Sequence, residues 1–144
     1  MLFRSAGDAS VIERHEEWAE RLVQVFGAPA DAALRLAAEL DAANFAWRQG
    51  RRDGDRGEGG TGAAGKSQDQ VAAAEDPVLF ALGSWQLELR RRMLEESPAR
   101  MGPWARLLEL SYDTLGYHEQ NVSPRLALEC FLLQVCRVDS GLPA

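Results

Sequence analysis

The residues with the sharpest chemical pattern in this sequence lie between Gly60 and Ser67. Gly60, Gly65, Lys66 and Ser67 match the phosphate-binding pattern G-x-x-x-x-G-K-[ST]. In a loop of that kind the backbone amides surround a phosphate, the lysine binds the terminal phosphates and the serine hydroxyl binds magnesium. The chemistry that the pattern predicts is therefore nucleotide binding.

The sequence around the Gly60–Ser67 motif favours a different interpretation. A phosphate-binding loop needs a buried strand before it and a helix after it. Residues 51–59, RRDGDRGEG, are too polar for a core strand, and residues 68–76, QDQVAAAED, predict only a weak helix of about two turns. No later apolar run ends in an aspartate that could be a second magnesium ligand. We therefore interpret the motif as a match within a Gly-rich linker, with nucleotide binding as the alternative.

The other reactive side chains predict neither a catalytic site nor a metal site. His15 lies on the apolar stripe of a predicted helix and His118 lies in a predicted solvated turn, and neither has a partner at metal-ligand spacing. Cys130 and Cys136 would stand about 240° apart on a helix, so they cannot form a disulfide with each other there. They indicate reduced thiols and a cytoplasmic location. We expect no cofactor and no enzymatic activity.

Composition and charge narrow the class of protein further. The chain has 144 residues, 46% of them hydrophobic and 26% charged, with a formal net charge of −6. This charge argues against a dedicated surface for nucleic acid or anionic membrane. The basic run Arg90–Arg92 predicts surface pairs with Glu95 and Glu96 at i,i+4 spacing. No apolar run approaches the ~20 residues that a membrane-spanning helix needs.

Apolar residues recur at helical spacing in five segments, and no segment shows the sustained alternation of a strand. The sequence therefore predicts an all-α fold, a bundle of about five helices. Asp76 and Pro77 predict the start of the third helix, and one tryptophan falls on or beside the packing face of each of the first four. The predicted helices cover approximately residues 8–26, 29–49, 77–96, 103–117 and 121–138.

Between the second and third helices, residues 50–76 are rich in glycine and contain one large aliphatic residue, Val71. Such a segment cannot bury enough apolar area to offset the ordering of its backbone, so we predict a long, disordered, Gly-rich linker. It would separate an N-terminal helical pair, residues 1–49, from a three-helix C-terminal segment, residues 77–144.

The last predicted helix is the most apolar one. Ser123 is a suitable N-cap, and Pro124 fits the first helical position. Further apolar residues, Leu126 among them, lie outside its main apolar face, so this helix needs neighbours on several sides. That predicts a bundle centre, a contact with another subunit, or both. The main face consists of Leu128, Phe131, Leu132, Val135 and Cys136.

Residues 121–135, NVSPRLALECFLLQV, resemble the closing helix of bacterial DNA polymerase III clamp-loader subunits, which follows the pattern N-x-[NS]-P-[RK]-L-x-[LI]-E-x-[LF]-L-[LF]. The delta-prime type is the nearest match, and the gamma/tau type has a similar domain. The order of helices over residues 77–138 is similar to the C-terminal collar domain of that family. Residues 8–48 are compatible amphipathic helices, and residues 50–76 do not match.

The resemblance implies a non-catalytic collar domain that holds clamp-loader subunits together while separate ATPase modules open the sliding clamp. It implies the other loader subunits as partners, with no direct contact to nucleic acid and none to a membrane. An unrelated helical adaptor is the remaining alternative. The residues carried over as structural are Asn121, Ser123, Pro124, Arg125, Leu126, Leu128, Glu129, Leu132 and Leu133. The residues expected at the partner interface are Pro124, Arg125, Leu128, Phe131, Leu132 and Val135.

Overall fold

The computed structural model describes residues 6–56 and 75–138, which form five α-helices and no strand. A single 3-10 turn, Pro98–Arg100, precedes the fourth helix. The predicted all-α bundle of about five helices is confirmed for these residues. The helices are α1 (Ala6–Val23), α2 (Ala30–Arg56), α3 (Pro77–Glu95), α4 (Met101–Glu119) and α5 (Pro124–Cys136).

The first helix differs from the predicted one at both ends. α1 already includes Ala6, slightly before the predicted start at about residue 8. It ends at Val23, and a turn follows in which Gly27 has φ 70°. Glycine adopts this left-handed conformation without the steric cost that other residues have, so Gly27 suits the end of the helical region.

The second helix continues past its predicted end at Gln49 to Arg56. Gly50 lowers helix propensity, but the segment contains no proline that would end a helix. The guanidinium of Arg51 lies 5.0 Å from the ring centre of Trp47. A helical backbone brings residues at i,i+4 spacing together, so this favourable contact stabilises the helix here. The predicted linker 50–76 is therefore helical at its start, and residues 57–74 lie outside the described ranges.

The fourth helix begins earlier than its predicted start at about residue 103. The chain leaves α3 after Glu95, passes through the 3-10 turn and enters α4 at Met101. Pro103 falls in the first turn of α4, where the amide that proline lacks would have no partner within the helix. The interruption is therefore at Glu96–Arg100, and Pro103 does not interrupt the helix.

The start of α5 departs from the predicted cap. Ser123 has φ 42° and ψ 58°, a left-handed conformation, and its side chain makes no capping hydrogen bond. Ser123 therefore stands at the N-cap position, as predicted, but without a side-chain cap, because the short reversal after α4 puts it in a backbone conformation unlike that of an ordinary N-cap. Pro124 occupies the first helical position, as predicted.

All five helices contribute to one hydrophobic core. α3 packs against α1, α2 and α4, while α5 packs against α2 and α4. The indole Nε1–H of Trp85, which is fully buried in α3, donates to the carbonyl of Trp18 in α1 at 2.8 Å. The N-terminal pair and the C-terminal segment that the sequence separates therefore share a core. Within the described ranges, no helix has the length and apolar character needed to cross a membrane.

Candidate protein-docking site

A surface groove of about 580 Å³ runs along the seam between α4 and α5. We call it the α4–α5 groove. Its floor includes Phe131, which is itself buried and stacks against Trp85 with ring centres 6.0 Å apart. Leu126 borders the groove with 58% of its surface exposed. The remaining lining residues are Arg106, Leu110, Asp113, Thr114, Tyr117, Val122, Ser123, Ala127, Cys130 and Gln134.

The turn after α4 fixes one end of the groove. The Val122 amide donates to the Tyr117 carbonyl at 2.9 Å, and the Asn121 amide donates to the His118 carbonyl at 3.0 Å. These two bonds are the Schellman pattern of a helix C-terminus, with Asn121 in the left-handed position at φ 56°. Asparagine adopts this conformation more readily than most residues. The motif brings Val122 back beside Tyr117, and both side chains are about half exposed at the groove.

The polar groups of the groove lie mainly on α4. The Thr114 hydroxyl is buried and donates to the carbonyl of Leu110 at 2.8 Å, so it serves the helix itself. Arg106 and Asp113 are exposed, and Arg106 bonds Glu109 at 3.0 Å. An exposed pair of this kind adds little stability. The groove can therefore bind apolar side chains between one cationic and one anionic group.

The residues expected at a partner interface are mostly in the core of the chain itself. Leu128, Phe131, Leu132 and Val135 are all 0–1% exposed, packed among the side chains of the shared core. Phe131 is the one of these four that also lines the groove, from below. Pro124 is half-buried.

The apolar surface of α5 that is open to solvent lies on another side of the helix. It includes Leu126, which matches the clamp-loader pattern, and the exposed free thiol Cys130. The exposed Arg125 bonds Glu129 at 3.3 Å within α5. Sequence reasoning found that α5 has apolar residues outside its main face, but it expected the partner on the main face, which is buried within this chain. It did not single out Leu110 and Tyr117 of α4, which line the groove and whose spacing of seven residues on one helix face was the available signal.

His118 is buried and paired, which corrects the prediction of a solvated histidine. It lies in the last turn of α4 and its Nε2 is 2.8 Å from Oδ2 of Asp76. The other carboxylate oxygen, Oδ1, caps α3 by accepting from the amides of Val78 at 2.8 Å and Leu79 at 3.3 Å. Asp76 is thus the predicted N-cap and also joins the start of α3 to the end of α4.

The surroundings of Asp76 shift the pKa of its carboxyl group. Burial by itself raises the pKa of this carboxyl, but the hydrogen bond and charge of His118, together with two backbone amides, outweigh burial. The pKa of Asp76 therefore lies below its ordinary value. His118 Nδ1 is buried without a hydrogen-bond partner among the described residues. The pair joins the start of α3 to the end of α4.

The other histidine, His15, lies at the edge of the core, as the sequence predicts. Its ring stacks on Phe80 with centres 4.2 Å apart, and its Nδ1 contacts the hydroxyl of Ser84 at 2.5 Å. That hydroxyl donates its proton to the Phe80 carbonyl at 2.9 Å, so it can only accept from His15. Ser84 is also buried. The pair is therefore not an activated nucleophile.

Arginines of the basic run in α3 form ion pairs with glutamates of the same helix. Arg91 bonds Glu88 at 2.5 Å and Glu95 at 2.9 Å, the second of which is the predicted i,i+4 pair. Burial raises the pKa of Glu88, but hydrogen bonds from Arg91 and Arg92 outweigh it and lower that pKa overall.

Arg92 differs from its predicted pairing with Glu96, because it turns towards the core. It bonds Glu88 at 2.7 Å, and its guanidinium lies 4.9 Å from the ring centre of Phe26 and 5.7 Å from that of Trp104. Contact with two aromatic faces favours this position over a fully solvated pair. The run therefore offers less free positive charge than its sequence suggests.

The phosphate-binding match, Gly60, Gly65, Lys66 and Ser67, lies outside the described residues. The described chain upstream of it, to Arg56, is helix α2, whereas a phosphate-binding loop follows a strand. The residues that are described contain no group of three or more histidines, cysteines or carboxylates that could hold a metal ion.

We compared the chain with protein-family models, with curated proteins and with solved structures, and no match was found in any of the three comparisons.

Proposed function

We propose that this chain is a non-catalytic helical assembly domain that binds another protein subunit in the α4–α5 groove. The observation that carries the proposal is the pair of neighbouring helices with apolar residues left uncovered along their shared seam. Leu126 and Tyr117 are half or more exposed there, beside a groove large enough for several side chains. A groove between two helices is a common place for an amphipathic helix to dock.

We further propose that the assembly is a clamp loader of DNA replication, with this chain as a collar domain of the delta-prime type that acts in the cytoplasm. The support is the sequence pattern of residues 121–133 and the roles that its residues have in the fold. Asn121 ends α4 in a left-handed conformation, and Pro124 begins α5. Leu128 and Leu132 are buried, so the pattern describes a turn and helix that together form one wall of the groove.

Co-purification with the other clamp-loader subunits tests the proposal. We expect the tagged wild-type chain to retain loader subunits at micromolar concentration and Leu126→Glu to lose them, because the variant puts a charge at the apolar edge of the groove. Leu87→Glu is the matched control, since Leu87 is 62% exposed on α3, away from the groove. If wild type retains no loader subunit, the clamp-loader assignment is wrong. Equal retention by both variants would show that the groove is not the binding surface.

A further inference from the structure

We propose that the α4–α5 groove also binds a second copy of this chain, in a dimer with two-fold symmetry about the middle of α4. The inference rests on the part of the proposed function that makes the groove a docking surface. It is independent of the clamp-loader assignment. A loader subunit that docks in the same groove would compete with the second copy.

The charges on α4 are arranged so that they complement a copy of themselves. Arg106 and Asp113 both line the groove and are seven residues apart, so they lie on one face of the helix, about 10.5 Å apart along its axis. Their midpoint falls between Glu109 and Leu110. When a second α4 runs antiparallel across this midpoint, Arg106 of each copy faces Asp113 of the other. A two-fold contact requires such self-complementarity, because the same surface serves on both sides.

One apolar residue of the groove, Leu110, lies next to the proposed axis. Under the two-fold rotation it meets its own copy between the two charge pairs. Leu126 stands across the groove on α5, away from the axis, and therefore faces α4 of the other copy. α4, α5 and their copies would then form a four-helix arrangement in which Leu110 and its copy lie nearest the axis and the two charge pairs flank them.

The size of the face predicts a weak dimer. α4 has 19 residues and α5 has 13. These lengths correspond to about 28 Å and about 20 Å, and two adjacent helices present a width of about 20 Å. The face therefore covers about 500 Å², below the roughly 800 Å² per partner of a standard stable interface. The net charge of −6 on each chain also opposes association. We expect a dissociation constant in the micromolar range.

Sedimentation equilibrium of the purified chain, from about 1 to 200 μM, tests the dimer. Arg106→Glu gives α4 two acidic groups at these positions, and Asp113→Arg gives it two basic groups. Each variant alone then places like charges together, and we expect its dimer to be at least about tenfold weaker than that of wild type. An equimolar mixture of the two variants restores both attractive pairs, so we expect dimers about as strong as those of wild type.

Two further variants connect the dimer to the groove. Leu126→Glu should abolish dimerisation and Leu87→Glu should leave it unchanged, with circular dichroism confirming that both remain helical. A wild-type chain that is monomeric up to 200 μM overturns the proposal, even if that chain retains loader subunits. A mixture that associates no better than the single variants overturns the two-fold arrangement. Dimerisation without retention of loader subunits supports this inference and contradicts only the clamp-loader assignment.

Discussion

Replacing Asp76 by alanine should lower the free energy of unfolding by about 3 kcal/mol. The variant removes the N-cap of α3, which costs about 0.5–2 kcal/mol in other helices. It also leaves His118 Nε2 buried without its partner, at a cost of about 1–3 kcal/mol. The Nδ1 atom of the same ring already lacks a partner among the described residues. Such a loss is a large fraction of the 5–15 kcal/mol that is typical of a whole domain.

The measurement is urea unfolding at pH 7, followed by tryptophan fluorescence, because Trp85 and Trp104 are almost fully buried in the folded chain. Asp76→Asn is the matched control. Its amide oxygen can still cap α3, and its amide nitrogen can donate to the imidazole of His118. We therefore expect the asparagine variant to lose less than half of what the alanine variant loses. A loss below about 1 kcal/mol for alanine, or equal losses for both variants, would refute the double role of Asp76.

The contribution of Asp76 to the free energy of unfolding should also depend on pH. Its folded-state pKa is lowered from the ordinary value of 3.8, so the folded chain binds fewer protons than the unfolded chain around that pH. The stability that the carboxylate contributes is complete above about pH 4 and is lost as the pH falls through the folded-state pKa. The difference between wild type and Asp76→Ala should therefore stay constant between pH 6 and pH 5 and narrow as the pH falls from about 4 towards 2. A difference that stays constant below about pH 4 would contradict the direction of the shift.

Substitutions at three further positions test α5 and the turn that precedes it. Leu128→Glu should unfold the chain, because the side chain is 1% exposed and a buried charge has no partner there, whereas Leu126→Glu should keep a wild-type circular dichroism spectrum. If Leu128→Glu melts like wild type, α5 is not buried as described. Asn121→Gly should be neutral or slightly stabilising and Asn121→Val should cost about 1–2 kcal/mol, since the residue has φ 56°. Equal unfolding midpoints for the two Asn121 variants would argue against the left-handed conformation.

Local patterns in the sequence predicted most of the helical core. The apolar spacing that places Leu82, Trp85 and Leu89 on one face of α3 depends only on the helical repeat, and all three are fully buried. Asp76 and Pro77 mark the start of α3 for an equally local reason, since a cap bonds amides two and three residues away. Features of this kind require no knowledge of the neighbouring helices.

Two of the errors concern features that depend on tertiary contacts, and a third concerns a contact within α2. His118 was predicted in a solvated turn, because its partner Asp76 is far away in the sequence and meets it only when α3 and α4 pack together. Arg92 was assigned to Glu96 by spacing alone, whereas Phe26 of the turn after α1 attracts it in the fold. The helical start of the Gly-rich segment was missed because composition outweighed the contact between Trp47 and Arg51.

The last helix shows why the candidate site was only partly predictable. An apolar residue on α5 can face α2 and α4 inside the chain or the open groove, and composition is the same in both cases. The fold uses Leu128 and Leu132 for the core and leaves Leu126 at the surface, so the excess of apolar residues that the sequence reveals is real but lies on another face. Because Tyr117 of α4 is uncovered beside it, the exposed apolar area is shared by two helices. A third helix could cover both at once, and the groove therefore has the form of a docking site.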